Sequence, residues 1–385
     1  MDDESQRAWA YLSRVAEPPN SRLAELVATV GAIEAADRVR RRALDDARLV
    51  RATEGRRDID CAEKDLETLA RMGGRLVTAQ DEEWPHLAFA SFRGVDGKQR
   101  RPAYPPLVLW VVGPARLCAV AERAASIVGT RAATAYGEYV AADLAAGLIQ
   151  RDVAVVSGAA YGIDGAAHRA ALASEGETVA VMAAGIDVPY PSGHSALLHR
   201  VARHGLVVSE HPPGTRPTRR QFLARNRLVA ALSGATVVVE AGARSGAANT
   251  AAWANALGRQ VCAVPGPITS SSSVGCHELI NTGARLITCA ADVVEMVGRI
   301  GELAPDPARP VSELDELTDV ELAVYEALPG RGTRTLDEIA VVSGLPVTDV
   351  LGPLTMLDVR GLVIQVQGCW KLAKPRTAER PRRLV

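Results

Sequence analysis

The sequence predicts an α/β protein built on a doubly wound, mostly parallel sheet. Three observations predict this architecture. Short apolar runs alternate with amphipathic stretches from about residue 107 to 300, which is the pattern of strand–helix repeats. Residues 1–75 show only helical periodicity, and residues 313–373 read as three short helices followed by a hairpin. Because the predicted strands are almost continuously apolar, the sheet should be covered on both faces.

The N-terminal region carries apolar residues at helical spacing. They are Trp9, Leu12, Val15, Leu23, Leu26, Val27 and Val30. Turn and breaker residues between Gly73 and Pro106 end this pattern. We therefore expect a helical domain over residues 1–75 and an α/β domain over residues 76–300.

Eight apolar runs predict the strands of the sheet. They lie at 107–112, 125–128, 153–156, 178–182, 205–208, 235–240, 260–264 and 285–288. Helices are predicted at 134–150, 163–175, 192–204, 220–233, 246–258 and 276–282. Such sheets bind ligands at the carboxyl ends of their strands. The loops that directly follow strands are therefore the informative ones.

The C-terminal region is predicted to contain a proline-rich linker over 301–312, a winged-helix-like unit over 313–373 and a basic, mobile tail over 374–385. Acids dominate the second and third predicted helices of this unit: Asp337, Glu338, Asp349 and Asp358. A recognition helix should be basic where it meets phosphates. We therefore expect a protein-interaction or regulatory module rather than a DNA reader.

Composition excludes several classes of protein. The chain has 44 Lys+Arg and 45 Asp+Glu, so its net charge of -1 excludes a globally basic nucleic-acid coat but permits a local basic groove. No apolar run reaches the roughly 18 residues of a membrane span, and the acidic N-terminus is no secretory signal. Six scattered cysteines without a CxxC pair indicate neither a zinc site nor a disulfide framework. We expect a cytoplasmic protein without metal or cofactor.

The turn Gly129-Thr130-Arg131 directly follows a predicted strand. Gly129 permits close backbone approach, and the N–H groups of the following helix start suit an anion. Arg131 could bind a phosphate through two N–H groups. A structural turn with an exposed arginine is an equally weighted alternative.

The next loop, from Ser157 to Asp164, is short and rich in small residues. Those that would let a phosphate or sugar reach backbone donors are Ser157, Gly158, Ala160 and Gly162. Asp164 could cap the following helix, and His168 lies one turn later on the same face. An Asp–His pair could be acid–base machinery, but an orienting hydrogen bond is favoured.

The segment from His211 to Arg227 is the densest positive stretch and contains no acid. Its arginines are Arg216, Arg219, Arg220, Arg225 and Arg227. A solvated loop is the alternative to anion binding. However, Arg225 and Arg227 flank Asn226 at the start of an apolar helix, which could turn a guanidinium inward, where it needs a partner. We therefore favour anion binding.

Ser245 and Gly246 follow a further strand, and Ser245 is a predicted N-cap beside N–H groups that could hold an anion. Loops of this type at one sheet edge predict a groove that tracks phosphates. The chain lacks a Walker A loop and a strict GxGxxG, which disfavours NTPase or NAD binding. Three histidines are expected on the surface: His194, His199 and His204. No catalytic residue is predicted.

The order and spacing of these motifs resemble the DNA-processing protein A family (DprA, also called Smf) over about 107–292. The matching segments include Ile127–Arg131, Val156–Asp164, Phe222–Arg227, Ser245–Gly246 and Gly275–Cys276. The resemblance implies an extended Rossmann-like fold with an N-terminal SAM-like helical domain and a C-terminal winged-helix-like domain. It also implies a non-enzymatic homodimer that binds single-stranded DNA and loads the RecA recombinase in natural transformation (competence) and homologous recombination.

The resemblance also implies roles for particular residues. Arg131 and the Ser157-Gly158 loop would contact DNA phosphates. The segments Arg225-Asn226-Arg227 and Ser245-Gly246 would line or support the same pocket, as would Gly129, Thr130, Ala160, Gly162 and Tyr190, with Asp164 and His168 in support. Candidates for base stacking are Tyr161, Tyr190 and Phe222. The chain departs from the family pattern at Leu223, where proline is usual, and at Ala248-Asn249, where a leucine–isoleucine pair is usual. It also departs at Ser192, where many members have lysine or another polar residue.

A nucleotide-binding enzyme is the main alternative. The lysine-decarboxylase-like phosphoribohydrolases have a similar fold and a glycine-rich loop with a catalytic glutamate. Residues 242–253 contain no acid after Ser245, which disfavours this chemistry. An enzyme would then have to use Asp164 and His168 as its acid–base pair. A transcription factor is a third alternative, and the acidic winged-helix-like unit argues against it.

Overall fold

A sheet of nine described strands forms the centre of the fold. In chain order the strands are β1 (Gly74–Val77), β2 (Leu109–Val112), β3 (Ala124–Val128), β4 (Ala154–Ser157), β5 (Thr178–Met182), β6 (Leu206–Ser209), β7 (Ala235–Val238), β8 (Gln260–Ala263) and β9 (Arg285–Leu286). Their spatial order is β1-β2-β6-β5-β4-β3-β7-β8-β9. Strands β3 to β9 are mutually parallel, while β1 and β2 are antiparallel at one edge. All eight predicted strands are confirmed.

The computed structural model describes residues 2–95, 103–243, 245–298, 314 and 316–373. The predicted linker at 301–312 and the predicted tail at 374–385 lie outside these residues. The chain divides into two compact units, 1–305 and 306–385. The nine-stranded sheet belongs to the first unit.

Helices cover both faces of the sheet because side chains alternate along each strand. In β3, Ala125 and Ile127 face one core, whereas Ala124 and Val128 face the other. The first face carries α8 (Ala135–Ile149), α9 (Ile163–Ala173), α10 (Ser195–His204) and α14 (Ala290–Val297). The second carries α6 (His86–Ala90), α7 (Leu117–Glu122), α11 (Arg219–Ala231), α12 (Gly246–Ala256) and α13 (Val274–Asn281).

The helical pattern predicted before the sheet is confirmed. The helices are α1 (Asp3–Val15), α2 (Ser21–Val30), α3 (Ala32–Arg40), α4 (Ala47–Glu54) and α5 (Ala62–Arg71). Trp9 and Leu12 are buried in one cluster with Trp110 of β2 and Val207 of β6. The N-terminal helices thus share a hydrophobic core with the sheet. A domain boundary at residue 75 stays a prediction.

The order of connections creates a crevice between β3 and β7. The chain builds β3 to β6 in one direction, with α8, α9 and α10 on the same face. It then crosses the other face through α11 and adds β7 on the opposite side of β3. At such a switch point the loops after two neighbouring strands leave in opposite directions, which opens a ligand crevice.

The C-terminal unit is a winged helix, as predicted. It consists of α15 (Asp319–Glu326), α16 (Leu336–Ser343), α17 (Val347–Val359) and the hairpin β10 (Val363–Val366) and β11 (Cys369–Leu372). Thr318 and Thr335 are the N-cap residues of α15 and α16. Each forms a capping box: the threonine hydroxyl accepts from the backbone N–H three residues later, and the glutamate side chain at that position accepts from the threonine N–H. Val324, Ile339 and Leu354 lie in its core.

No single helix in the described ranges is both long and apolar enough to cross a membrane. Helices α16 and α17 pass that length and composition test only as a pair, and they are bent by 103°.

Candidate functional site

The turn after β3 is fixed in the crevice and presents Arg131. The Thr130 N–H donates to the Glu240 carbonyl oxygen at 2.8 Å. A Cβ atom on Gly129 would stand 2.9 Å from that same oxygen, so the close approach of the two loops requires glycine. Arg131 is exposed, and its Cζ lies 5.1 Å from the centre of the Phe222 ring. Gly129 and Thr130 therefore shape the turn, and Arg131 is available to a ligand.

Glu240, two residues after β7, is a structural residue that the sequence analysis did not single out. Its buried carboxylate accepts hydrogen bonds from the Thr134 N–H at 3.0 Å and the Thr134 hydroxyl at 2.6 Å. A Cβ on Gly137 would stand 2.5 Å from its Cδ. Glu240 thereby holds the start of α8 in place beside the crevice. A carboxylate at the end of an otherwise apolar predicted strand, 235–240, is the signal that could have revealed it.

The structure corrects the expectation for the loop after β4. The Ser157 hydroxyl is fully buried and donates to the Ile127 carbonyl oxygen at 2.6 Å. The N–H groups of Gly158 and Ala160 donate to the Asp164 carboxylate at 3.1 and 3.3 Å. The buried Ser157 side chain therefore cannot contact a phosphate. The N–H groups that were expected to bind a phosphate donate to Asp164 instead.

Asp164 and His168 do not form the expected orienting pair, because each has other partners. His168 Nδ1 lies 2.7 Å from the Thr178 hydroxyl oxygen. Because that hydroxyl donates to the Val155 carbonyl oxygen, the His168 Nδ1–H must be the donor. Burial lowers the pKa of His168 to about 3, so the ring is neutral. Burial also raises the pKa of Asp164, while nearby Arg225 opposes this rise.

The end of this loop packs against its neighbours and exposes one ring. Gly162 has a φ of 73°, and a Cβ there would overlap the Thr130 carbonyl oxygen. Tyr161 is 46% exposed, and its ring centre lies 4.8 Å from that of His194. The prediction that His194 is a surface residue is wrong, because it is buried with Nδ1 3.0 Å from the Ala159 carbonyl oxygen.

Arg225 forms the floor of the crevice. Its side chain is buried against Gly158, and its Nη1 donates to the carbonyl oxygen of Val181 at the end of β5. Burial lowers the pKa of Arg225 to about 10, partly offset by the attraction of Asp164. The guanidinium is therefore still charged at neutral pH. It places a buried cation, with Asp164 nearby, beneath the ends of the central strands.

Arg227 does not line the crevice. Its side chain is completely buried, and Nη2 donates to both carboxylate oxygens of Glu210 at 2.6 and 2.8 Å. Residues two apart on a helix point about 200° away from each other. Arg225 and Arg227 therefore cannot share one groove. The prediction that Arg227 contacts the ligand is corrected: this residue is half of an internal ion pair.

Asn226 connects α11 to α12 on the second face. Its Nδ2 donates to the Gly246 carbonyl oxygen at 3.3 Å and to Asn249 Oδ1 at 3.2 Å. Ser245 caps α12 as predicted, since its hydroxyl accepts from the Ala248 N–H at 3.2 Å. Gly246 is exposed, so the start of α12 is open to an anion. Asn226 and Ser245 thus support this helix end.

A cationic and aromatic rim borders the crevice. The Phe222 ring contacts both Arg131 and Tyr190, and the centres of the Phe222 and Tyr190 rings are 5.2 Å apart. Tyr190 is 41% exposed. Three further arginines near the start of α11 are exposed: Arg216, Arg219 and Arg220. We call Arg131, Tyr190 and Phe222 the crevice rim.

Fold and site together define a doubly wound α/β protein whose switch-point crevice has a buried arginine floor and an arginine–aromatic rim, a class suited to an anionic ligand. Comparison with family models then gives a specific result. The model described as DNA recombination-mediator protein A matches residues 75–298, and the model of the DprA winged helix domain matches residues 305–368. The chain belongs to the DNA recombination-mediator protein A family.

Individual relatives agree with this assignment. A putative DNA processing protein DprA from Mycobacterium tuberculosis is 64% identical over 374 residues, which cover 97% of this chain and 96% of the relative. Protein Smf from Escherichia coli is 36% identical over 246 residues, covering 63% and 66%. The solved structure of DNA processing protein A from Streptococcus pneumoniae is 28% identical, covers 76% of this chain and 98% of that one, and has a TM-score of 0.61.

Proposed function

We propose that this protein binds single-stranded DNA in the crevice, without sequence preference and without catalysing a reaction on it. The observation that carries the proposal is the cluster in which the Phe222 ring contacts both Arg131 and Tyr190, together with the nearby buried charge of Arg225. Arginines neutralise phosphates, and aromatic rings stack on bases of any sequence. Membership of a family of DNA recombination mediators supports the same ligand.

Exposed aromatic rings at the crevice favour single strands over duplexes for a geometric reason. Tyr161 and Tyr190 expose ring surface, and a base can stack on such a ring only when it has left its own stack. In a duplex the bases are paired and stacked internally. Phosphate contacts alone would not make this distinction.

The environments of Asp164 and His168 favour a binding protein over an enzyme. Both residues are buried, Asp164 holds loop N–H groups, and His168 bonds to Thr178. A general acid–base pair must reach its substrate. The phosphoribohydrolase alternative therefore has little support from these residues.

Family membership supports a role for the whole protein. We propose that it acts as a homodimer, protects incoming or processed single strands and delivers them to the RecA recombinase in natural transformation or homologous recombination.

For the C-terminal unit we propose contact with protein rather than DNA. Helix α17 occupies the place of a recognition helix, contains no lysine or arginine, and bears Asp349 and Asp358. It exposes Leu351, Met356 and Val359. Exposed apolar clusters mark protein contacts, whereas DNA-reading helices are basic. Leu351→Asp in the full chain should therefore leave the affinity for DNA unchanged.

The proposed function is tested by fluorescence anisotropy of a labelled oligothymidine over a salt series, with a duplex of equal length as control. Wild type is compared with Arg131→Ala and with Arg203→Ala. Arg203 is a matched exposed arginine near the end of α10, just before β6 begins and therefore at the end of the strands opposite the crevice. We expect Arg131→Ala alone to weaken binding and to flatten the log–log salt slope by about 0.7 per lost phosphate contact. Equal binding by the two variants, or no preference for single strands, would refute the proposal.

A further inference from the structure

We propose that the N-terminal helices position the arginine-bearing start of α11, so that Glu17 and Gln221 set the affinity for single-stranded DNA without contacting it. This inference rests on the proposed function and deepens it by naming positioning residues. It concerns the connection from β6 to α11 and the first turn of α11, which carry the exposed arginines Arg216, Arg219 and Arg220.

One side of this connection is held by the loop after β5. The Gly214 N–H donates to Asp187 Oδ1 at 2.7 Å. The Gly185 N–H donates to the Thr215 carbonyl oxygen at 2.8 Å. These bonds fix the middle of the connection but not the start of α11.

The other side is held by α1. Arg14 Nη2 donates to the Pro213 carbonyl oxygen at 2.7 Å. The same guanidinium forms two hydrogen bonds of 2.8 Å with the Asp65 carboxylate on α5. Because Asp65 is nearly buried, the arginine is fixed and offers a rigid donor to the connection.

Gln221 connects the helix start to the N-terminal region. Its Nε2 donates to Glu17 Oε1 at 2.9 Å, while its Oε1 accepts from the Thr218 N–H at 2.7 Å and completes the capping box. Arg56 Nη2 donates to the second Glu17 oxygen at 3.0 Å. Both ends of the Gln221 amide are thus engaged. Arg219, Arg220 and Phe222 are its neighbours on the same turn.

The charge of Glu17 makes a positioning role testable. A carboxylate beside an arginine cluster lowers the local positive potential and opposes DNA binding. Removal of this charge alone should therefore strengthen binding. Loss of the hydrogen bond to Gln221 should weaken binding, because the arginines and Phe222 lose their fixed position. The two effects have opposite signs and can be separated.

The experiment compares Glu17→Gln with Glu17→Ala in the full chain, using the same oligothymidine. Both variants remove the charge, but only glutamine keeps an oxygen that can accept from Gln221. We expect Glu17→Gln to bind at least as tightly as wild type, and Glu17→Ala to bind three- to tenfold more weakly than Glu17→Gln. Amide hydrogen exchange over residues 219–222 should be faster in Glu17→Ala. Glu34→Ala, an exposed acid paired with Arg38, is the matched control and should bind like wild type.

Binding is measured at a temperature at which thermal melts show both Glu17 variants folded. Equal affinity and equal exchange for the two variants would overturn the positioning role. If wild type and Arg131→Ala behave as proposed while the Glu17 variants do not differ, only this inference fails. If wild type shows no preference for single strands, the proposed function fails, and the exchange rates then decide whether Glu17 positions the turn.

Discussion

The guanidinium of Arg225 occupies the space that a side chain on Gly158 would need. A Cβ on Gly158 would stand 2.6 Å from Arg225 Cζ, well inside van der Waals contact. The glycine lies in the loop after β4, and the arginine lies in the middle of α11. Glycine at this position therefore admits a buried cation to the floor of the crevice.

Gly158→Ala should displace Arg225 and weaken binding of single-stranded DNA at least tenfold, although no charge is removed. Forcing a methyl group into a packed site also costs about 1–3 kcal/mol of stability. Anisotropy and thermal melts measure the two effects. Gly55→Ala is the control, because no described atom lies within 4 Å of the added Cβ. If Gly158→Ala matched this control, the packing account of Gly158 would be wrong.

Arg227→Leu should destabilise the protein by about 3–5 kcal/mol, because it leaves the buried Glu210 carboxylate without its cation. Replacing both residues with leucine should recover part of the loss, since no buried charge remains. Urea unfolding measures both variants. Arg7→Ala, which removes an exposed ion pair with Glu63, should change stability by less than about 1 kcal/mol. A double variant less stable than Arg227→Leu would contradict this account.

His168 should make the protein less stable as pH falls from about 6.5 towards 3. In this window an unfolded histidine binds a proton, while burial keeps His168 neutral in the folded state because its pKa is about 3. The unfolded state then binds more protons, so the free energy of unfolding rises with pH by up to about 1.4 kcal/mol per unit. His168→Asn, which keeps a donor for Thr178, should have a shallower slope. Urea unfolding from pH 3.5 to 7.5 measures it, and an unchanged slope would count against the assignment.

Tyr190→Ala should weaken binding of oligothymidine by about 1–3 kcal/mol if its ring stacks on a base. Binding of an abasic oligonucleotide of equal length should not change, because its phosphates remain. The salt slope should also stay the same. Tyr139→Ala, which removes an exposed tyrosine on α8, serves as the control. Equal losses with normal and abasic strands would show that Tyr190 acts on the backbone instead.

Much of the fold could be predicted from local patterns, because burial leaves a periodic signal in each element. The strand at 235–238 is apolar at every position except Thr236. The three helices and the hairpin of the winged helix were likewise predicted from the spacing of their apolar residues. β1 was missed because its four residues lie among turn residues and pair only with β2, between 32 and 38 positions away. Such a short edge strand forms because it pairs with a neighbouring strand, and its own residues carry little sequence pattern.

The sequence by itself determined the family, the strand–helix order and the edge of the sheet where functional loops meet, since each depends on residue type and spacing along the chain. Only the tertiary structure decided which polar groups face that crevice. Arg225 and Arg227 are two positions apart on one helix. Arg225 forms the floor of the crevice, whereas Arg227 pairs with Glu210. Ser157 likewise turns inward to Ile127. The direction of a buried polar side chain is set by partners from distant segments, and a local pattern does not contain them.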